Sequence, residues 1–304
     1  MNEPTRHHYT PQFYLSAWCS ASTEDRASKL WVVEHVAGTI NYFRRPPKAT
    51  GFEIDLYSFS DAYPGERASL ETQFFSRLDN DGAAVVKKVI AQEPLTPQER
   101  GVWAEFVFRM RIRTPDGIAL VKKTGRQALS QEAIKRQADY EAVREDGGPD
   151  SIFDWIETQR PGITDNFALS NLPRLGHRIV AKIAAMAWRC LDFTDSPQRL
   201  LCSDHPCLFM VRDISDREGV VVLPLSPRHA FVACYTGSKA EAALNRQGPM
   251  AATAKALNTA MVRQARQRAY CYSRGDAPDA FYAKHLVRQD PPRSGDRVRK
   301  KSKS

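Results

Sequence analysis

The sequence predicts an α+β fold, and three observations carry that prediction. Bulky and polar residues alternate near the N-terminus, helical periodicity takes over from Glu66, and alternation returns after residue 198. The order is strands, helices, strands, helix, strand, without the regular βαβ alternation of a parallel sheet. The expected sheet is mixed or antiparallel, built from the N-terminal hairpin and the C-terminal strands, with the intervening helices on one face.

Each element has its own signal. SKLWVVEH and GTINYFRR flank Ala37-Gly38 and read as a β-hairpin, with FEIDLYSF as a third strand. From Glu66, the residues Leu70, Phe74, Leu78, Val85 and Val89 recur at helical spacing, and Gly82 is expected to weaken that helix. Thr96, Pro97 and Glu99 form a capping box for the next helix, which runs to Arg113 before Thr114-Pro115 breaks it. Residues 117 to 145 read as a polar helical stretch with few core anchors, and a shorter helix surrounds Trp155. NLPRLGHRIVAKIAAMAWRCLDF is expected to be the most apolar helix. QRLLCSD, CLFMVRD, GVVVLPLS and HAFVACY read as strands, residues 238 to 267 as one long helix, and AYCYSR as a last strand.

Residues 1–286 are expected to form a single α+β domain and residues 287–304 a disordered basic tail. From Arg288 onward, seven Lys/Arg face Asp290 and Asp296, so the tail holds +5 of the net +9 and leaves +4 elsewhere. A tail of this kind lends weak, non-specific, salt-sensitive affinity for nucleic acid. No apolar run reaches the roughly 18 residues that cross a bilayer, so no membrane partner is expected. The six cysteines are scattered without a secreted framework, which points to a reduced, cytoplasmic protein.

Several chemistries lose support because their signatures are missing. The chain has no Gly-x-Gly-x-x-Gly, Walker loop, Gly-x-Ser-x-Gly, His-Glu-x-x-His or Cys-x-x-Cys, and no acidic residue two before a lysine. The remaining candidates are His7 and His8 in HHYTPQFYL, Arg113 at the end of its helix, and Asp204 with His205 in SDHP. His7, His8, Arg113 and Asp204 are the catalytic candidates; His8, Asp204 and His205 are candidate ligands for a divalent metal. Adjacent histidines on an extended segment point to opposite faces. One reading therefore has a histidine titrating or ligating in a polar cleft, and the other has it hydrogen-bonded in a packed edge. Asp204 is equally open to a ligand role or to a turn in which it bonds the backbone two residues on. A buried Arg113 requires an anionic partner, with Glu71 or Asp55 as the expected one, and Glu105 is placed to pair with Arg109.

HHYTPQFYLSAW, DLYSF, LETQFFSRLD, EFVFRMRIRTP, SDHP and PLSPRHAF together resemble a bacterial family, domain of unknown function 4238, from His7 to about Ser273. The positions that match include His7, His8, Tyr9, Gln12, Tyr14, Tyr57, Glu71, Arg113, Asp204 and Asn258, with Met110 where members often carry glutamine and Asp79 at the second acidic position. It implies no reaction. Three functions remain open: an uncharacterised protein with a polar cleft at the His-His motif, a metal-assisted phosphoesterase or nuclease, and a non-enzymatic binding or scaffold module.

Overall fold

The computed structural model describes residues 3–22, 25–60, 62, 65–210, 216–246 and 250–287. The predicted tail therefore lies outside the described residues from Arg288 on. The chain runs through β1 (Arg6–His8), α1 (Gln12–Leu15), β2 (Ser20–Ser22), β3 (Asp25–Val36), β4 (Thr39–Arg45) and β5 (Phe52–Ile54). A π-helical segment, Leu70–Phe75, leads into α2 (Ser76–Ala91), followed by α3 (Pro97–Ile112), α4 (Pro115–Lys135), α5 (Gln137–Glu141), α6 (Ile152–Gln159), α7 (Ile163–Ser170) and α8 (His177–Ala185). Then come β6 (Ala187–Asp192), β7 (Cys202–Ser203), β8 (Leu208–Phe209), β9 (Val220–Ser226), β10 (His229–Cys234), α9 (Lys239–Asn245), α10 (Met250–Gln264), β11 (Arg268–Cys271) and α11 (Asp279–His285).

The fold is α+β with antiparallel sheets. Ala37 (φ 49°) and Gly38 (φ 78°) both take positive φ, the turn geometry that matches strand twist, and β3 pairs β4 from Leu30↔Arg45 to Val36↔Thr39. The other edge of β3 pairs β11 at Trp31–Glu34, and β11 passes to β7. The hairpin thus shares a sheet with β7 and β11, as expected, whereas β8, β9 and β10, expected in the same sheet, do not join it. A second sheet runs β6-β10-β9-β8, and β1 pairs β5 rather than the hairpin.

Alternation along β3 sends Leu30 and Val32 into the main core, where they meet Trp103, Phe106 and Val107 of α3 and Leu223 and Phe231 of the second sheet. Val33 faces the opposite way, against Val262, Tyr282 and Leu286. On the second sheet, Val222 and Val232 pack on Leu257 and Met261 of α10. Both sheets are therefore covered on both faces: α2, α3 and α8 lie on the main-core side, and α10 and α11 contribute opposite it.

Two predicted helices are divided. The apolar stretch from Asn171 stops at Met186, which turns extended (ψ 157°), and β6 follows instead of more helix. A complete ladder with β10, from Ala187↔Cys234 to Asp192↔His229, and the Trp188–Phe231 ring contact at 5.2 Å outweigh local helix preference. The 238–267 segment forms α9 and α10, with residues 247–249 between them outside the described residues. The capping box at Thr96 and the break at Thr114-Pro115 are present, and Thr114 caps α4 by accepting from the Gly117 amide.

Candidate functional site

The His-His segment enters the fold as β1. The Asp55 amide donates to the Thr5 carbonyl and β1 pairs β5 in register, so His7 and Glu53 oppose each other while the His8 peptide faces away from that ladder. Both polar groups of that peptide are met by side chains: the amide donates to Glu71 Oε1 (3.1 Å), and the carbonyl accepts from Arg113 Nη2 (2.6 Å). A carboxylate and a guanidinium thus close the strand edge where a third strand would otherwise pair.

His7 and His8 project to opposite faces, as an extended segment requires. His7 is fully buried, stacks on Tyr57 with ring centroids 5.3 Å apart, and has both nitrogens engaged. Nδ1 accepts from the Tyr57 amide (3.0 Å) and Nε2 donates to the Pro4 carbonyl (3.1 Å), the pattern of a neutral ring. Burial holds its pKa below the usual value. His8 is half-buried against Phe52, and burial together with the Arg113 charge pushes it down to about 4.

Arg113 is the junction of the site. It is wholly buried at the end of α3, its guanidinium lies 4.4 Å from the Phe75 ring centroid, and its backbone carbonyl accepts from Tyr57 Oη (2.8 Å). Its anionic partner is Asp79 of α2, held by two bonds of 2.6 and 3.2 Å, rather than Glu71 or Asp55. Asp55 instead pairs Arg67 (2.7 Å). Burial opposes the Arg113 charge, but Asp79 outweighs it, so the guanidinium pKa is raised. Glu71 sits on the π-helical segment, a local widening often found at functional sites; burial raises its carboxyl pKa against the pull of Arg113. Among the described residues, the buried His8 Nε2, Glu71 Oε2 and Arg113 Nε have no hydrogen-bond partner.

Asp204 is used differently from either expectation. It is 2% exposed, and its carboxylate accepts from the amides of Arg266 (2.8 Å), Gln267 (2.8 Å) and Arg268 (3.0 Å), which fastens β7 to the start of β11. Burial pushes its pKa up to about 6, with the three amides opposing. The local turn expected of Asp204 is made by its neighbour, since the His205 amide donates to Ser203 Oγ (3.2 Å). No hydrogen bond or ion pair among the described residues joins Asp204 to His7, His8, Glu71 or Arg113.

His205 lies in a separate, partly exposed chain of charges. Its Nε2 is 3.6 Å from Asp116, which also meets Arg266 (3.4 Å), and Arg266 pairs Glu53 (2.9 Å). Burial, with Arg111 and Arg266 adding to it and Asp116 opposing, lowers the ring pKa to about 4. His8, Asp204 and His205 are thus not brought together: among the described residues no three His, Cys, Asp or Glu side chains gather in a metal-binding group. Glu105 pairs Arg109 (3.1 Å), as its spacing predicted.

Sequence reasoning missed Asp79 and Tyr57 as partners in this network. Asp79 had an available signal, since the resemblance already placed it at the second acidic position of that helix. Tyr57 was marked only as a position of the DLYSF motif, and its meeting with His7 and Arg113 comes through tertiary contact. Asn258 is likewise a fastener: its Oδ1 accepts from the Leu201 amide (2.8 Å) and its Nδ2 donates to the Arg199 carbonyl (2.8 Å). Two cavities of about 410 Å³ lie elsewhere, one bordered by His35 and Leu286 and the other by Phe59, Ile156 and Phe167.

No helix of the described residues is long and apolar enough to cross a membrane. No curated protein and no solved structure matches the chain. The profile of the family described as Protein of unknown function (DUF4238) matches residues 6–275 of a chain whose motif residues form the His7–Tyr57 and His8–Glu71–Arg113–Asp79 network, and the chain belongs to that family.

Proposed function

We propose that this protein is a non-catalytic binding module in which the His-His segment fastens the N-terminus to the helical layer. The supporting observation is that the chain engages the reactive groups itself: both nitrogens of His7, the wholly buried Arg113 guanidinium and the Asp204 carboxylate all bond backbone or a partner side chain. A cleft built on these residues would need at least one of them turned toward solvent. Scaffold duty also explains why acceptors and donors come from opposite ends of the chain, since locks between distant segments stabilise tertiary structure. The free cysteines accord with a cytoplasmic setting, which is part of this proposal.

Thermal melts of Arg113→Lys test it. Lysine loses the paired contact to Asp79 and leaves a buried carboxylate poorly compensated, a change of about 3–5 kcal/mol. The melting temperature is expected to fall by at least about 5 °C, and added Mg²⁺, Mn²⁺, Zn²⁺ or phosphate should not restore it. A second reading, the metal-assisted phosphoesterase or nuclease, draws on the unengaged His8 Nε2 and Glu71 Oε2 beside Arg113. Calorimetric metal binding that disappears in a folded His8→Ala variant would establish that reading and retire the first.

A further inference from the structure

Ile163, Asn166, Phe167 and Ser170 follow the i, i+3, i+4, i+7 pattern and so share one face of α7. That face borders a cavity of about 410 Å³, closed on its other sides by Leu129 of α4, Ile156 of α6 and Phe59. The opposite side of α7 is spent on packing. Leu169 is buried in the main core, and Ala168 approaches α4 so closely that a Cβ at Gly125 would lie 2.4 Å from its own Cβ. The wall is also pinned to the chain before α2: Asn166 Oδ1 accepts from the Ser60 amide (2.8 Å), and its Nδ2 donates to the Ser60 carbonyl (2.6 Å). The volume falls within the range of small-molecule sites, roughly 300–1,000 Å³.

We propose that this cavity binds the alkyl chain of a medium-chain carboxylic acid, with the carboxylate paired to Arg160 at the rim. The wall selects an apolar body, because its two polar residues are already used: Asn166 on Ser60, and Ser170 Oγ as donor to the Phe167 carbonyl (2.9 Å). A ligand rich in hydroxyls or phosphates would lose water there without gaining bonds. An alkyl chain also covers Phe167, which is 41% exposed. The head group is selected by charge. Arg160 follows α6 and stands between two wall residues, its amide donating to the Ile156 carbonyl (3.0 Å) and its carbonyl accepting from the Ile163 amide (3.1 Å). It is exposed, and it has no ion pair with a described residue. The carboxylates nearest it in sequence, Glu157 and Asp165, face Arg126 (3.8 Å) and Lys122 (3.2 Å) instead. A free acid is favoured over a bilayer because the apolar surface lies in a hollow between helices, whereas an interfacial helix presents its apolar face outward. No wall residue belongs to the His8–Glu71–Arg113–Asp79 network, so the site stands independently of the lock at the N-terminus.

The test is equilibrium dialysis of radiolabelled decanoate and decanol against the full-length protein at neutral pH, below the micelle concentration. Decanoate should bind saturably. Ser170→Trp, which fills the cavity from an exposed position, should weaken it at least about 10-fold without lowering the melting temperature. Arg160→Glu should weaken decanoate at least about fivefold and leave decanol within about twofold, since only the acid presents a charge to the rim. Leu120→Trp, on the exposed side of α4, should leave decanoate binding unchanged. Absence of decanoate binding, full retention by Ser170→Trp, or an Arg160→Glu effect of the same size on decanol would each overturn the inference. Pelleting with phosphatidylglycerol vesicles that Ser170→Trp abolishes and free decanoate fails to compete would overturn it too, by making the cavity a membrane contact.

Discussion

Asp204 and the histidines titrate in opposite senses, and that sets how the protein responds to acid. Asp204 sits near 6 when folded and about 3.9 when unfolded, so its linked stability is fully present below about pH 4 and is lost as pH rises through 6. His8 and His205 are lowered to about 4, so theirs is present above about 6.5 and lost as pH falls through 4. Between pH 4 and 6.5 the two effects offset each other. Asp204→Asn should be destabilised by about 2 kcal/mol at pH 7, because an amide group cannot accept all three backbone bonds. It should also lose more stability than the parent between pH 7 and 4.5, as read from urea midpoints. A variant that is no more acid-sensitive than the parent would show that Asp204 does not titrate in this range. The histidine pair was visible as a motif, but their environments were not: His7 is held neutral by burial, with Nδ1 accepting from the Tyr57 amide, and no spacing announces either.

Among elements, α2 and α3 show how packing reverses a local expectation. Gly82 reads as a weak point in a helix, where glycine costs about 1 kcal/mol relative to alanine. In the fold, a Cβ there would lie 2.7 Å from the Phe106 ring, which is fully buried. Gly82→Ala should therefore lower stability by about 1–3 kcal/mol despite its better propensity. Phe106→Leu in the same chain should recover part of the loss, giving a coupling energy above about 0.5 kcal/mol in a double-mutant cycle. Additive effects would separate the two sites. The division at Met186 follows the same logic. The residues of β6 are compatible with helix or strand, and the exposed edge of β10 decides between them.

At the scale of the molecule, the main core draws on both ends of the chain, from Tyr9 and Leu15 to Tyr270. We propose that the described residues unfold as one cooperative unit. Scanning calorimetry should give a single transition with calorimetric and van't Hoff enthalpies in agreement; two resolved transitions would divide the chain into domains. By itself the sequence determined the α+β class, the hairpin at Ala37-Gly38, the capped start of α3, the break at Thr114-Pro115 and the Glu105–Arg109 pair. All of these depend on residues within a few positions of one another, where backbone preference and side-chain reach suffice. Only the tertiary structure decided that Arg113 binds Asp79 and the His8 carbonyl, that Asp204 holds the turn before β11, and that α8 gives way to β6. Those outcomes depend on groups tens to hundreds of residues apart, and the desolvation of each buried charge is balanced only by the partner that folding brings to it.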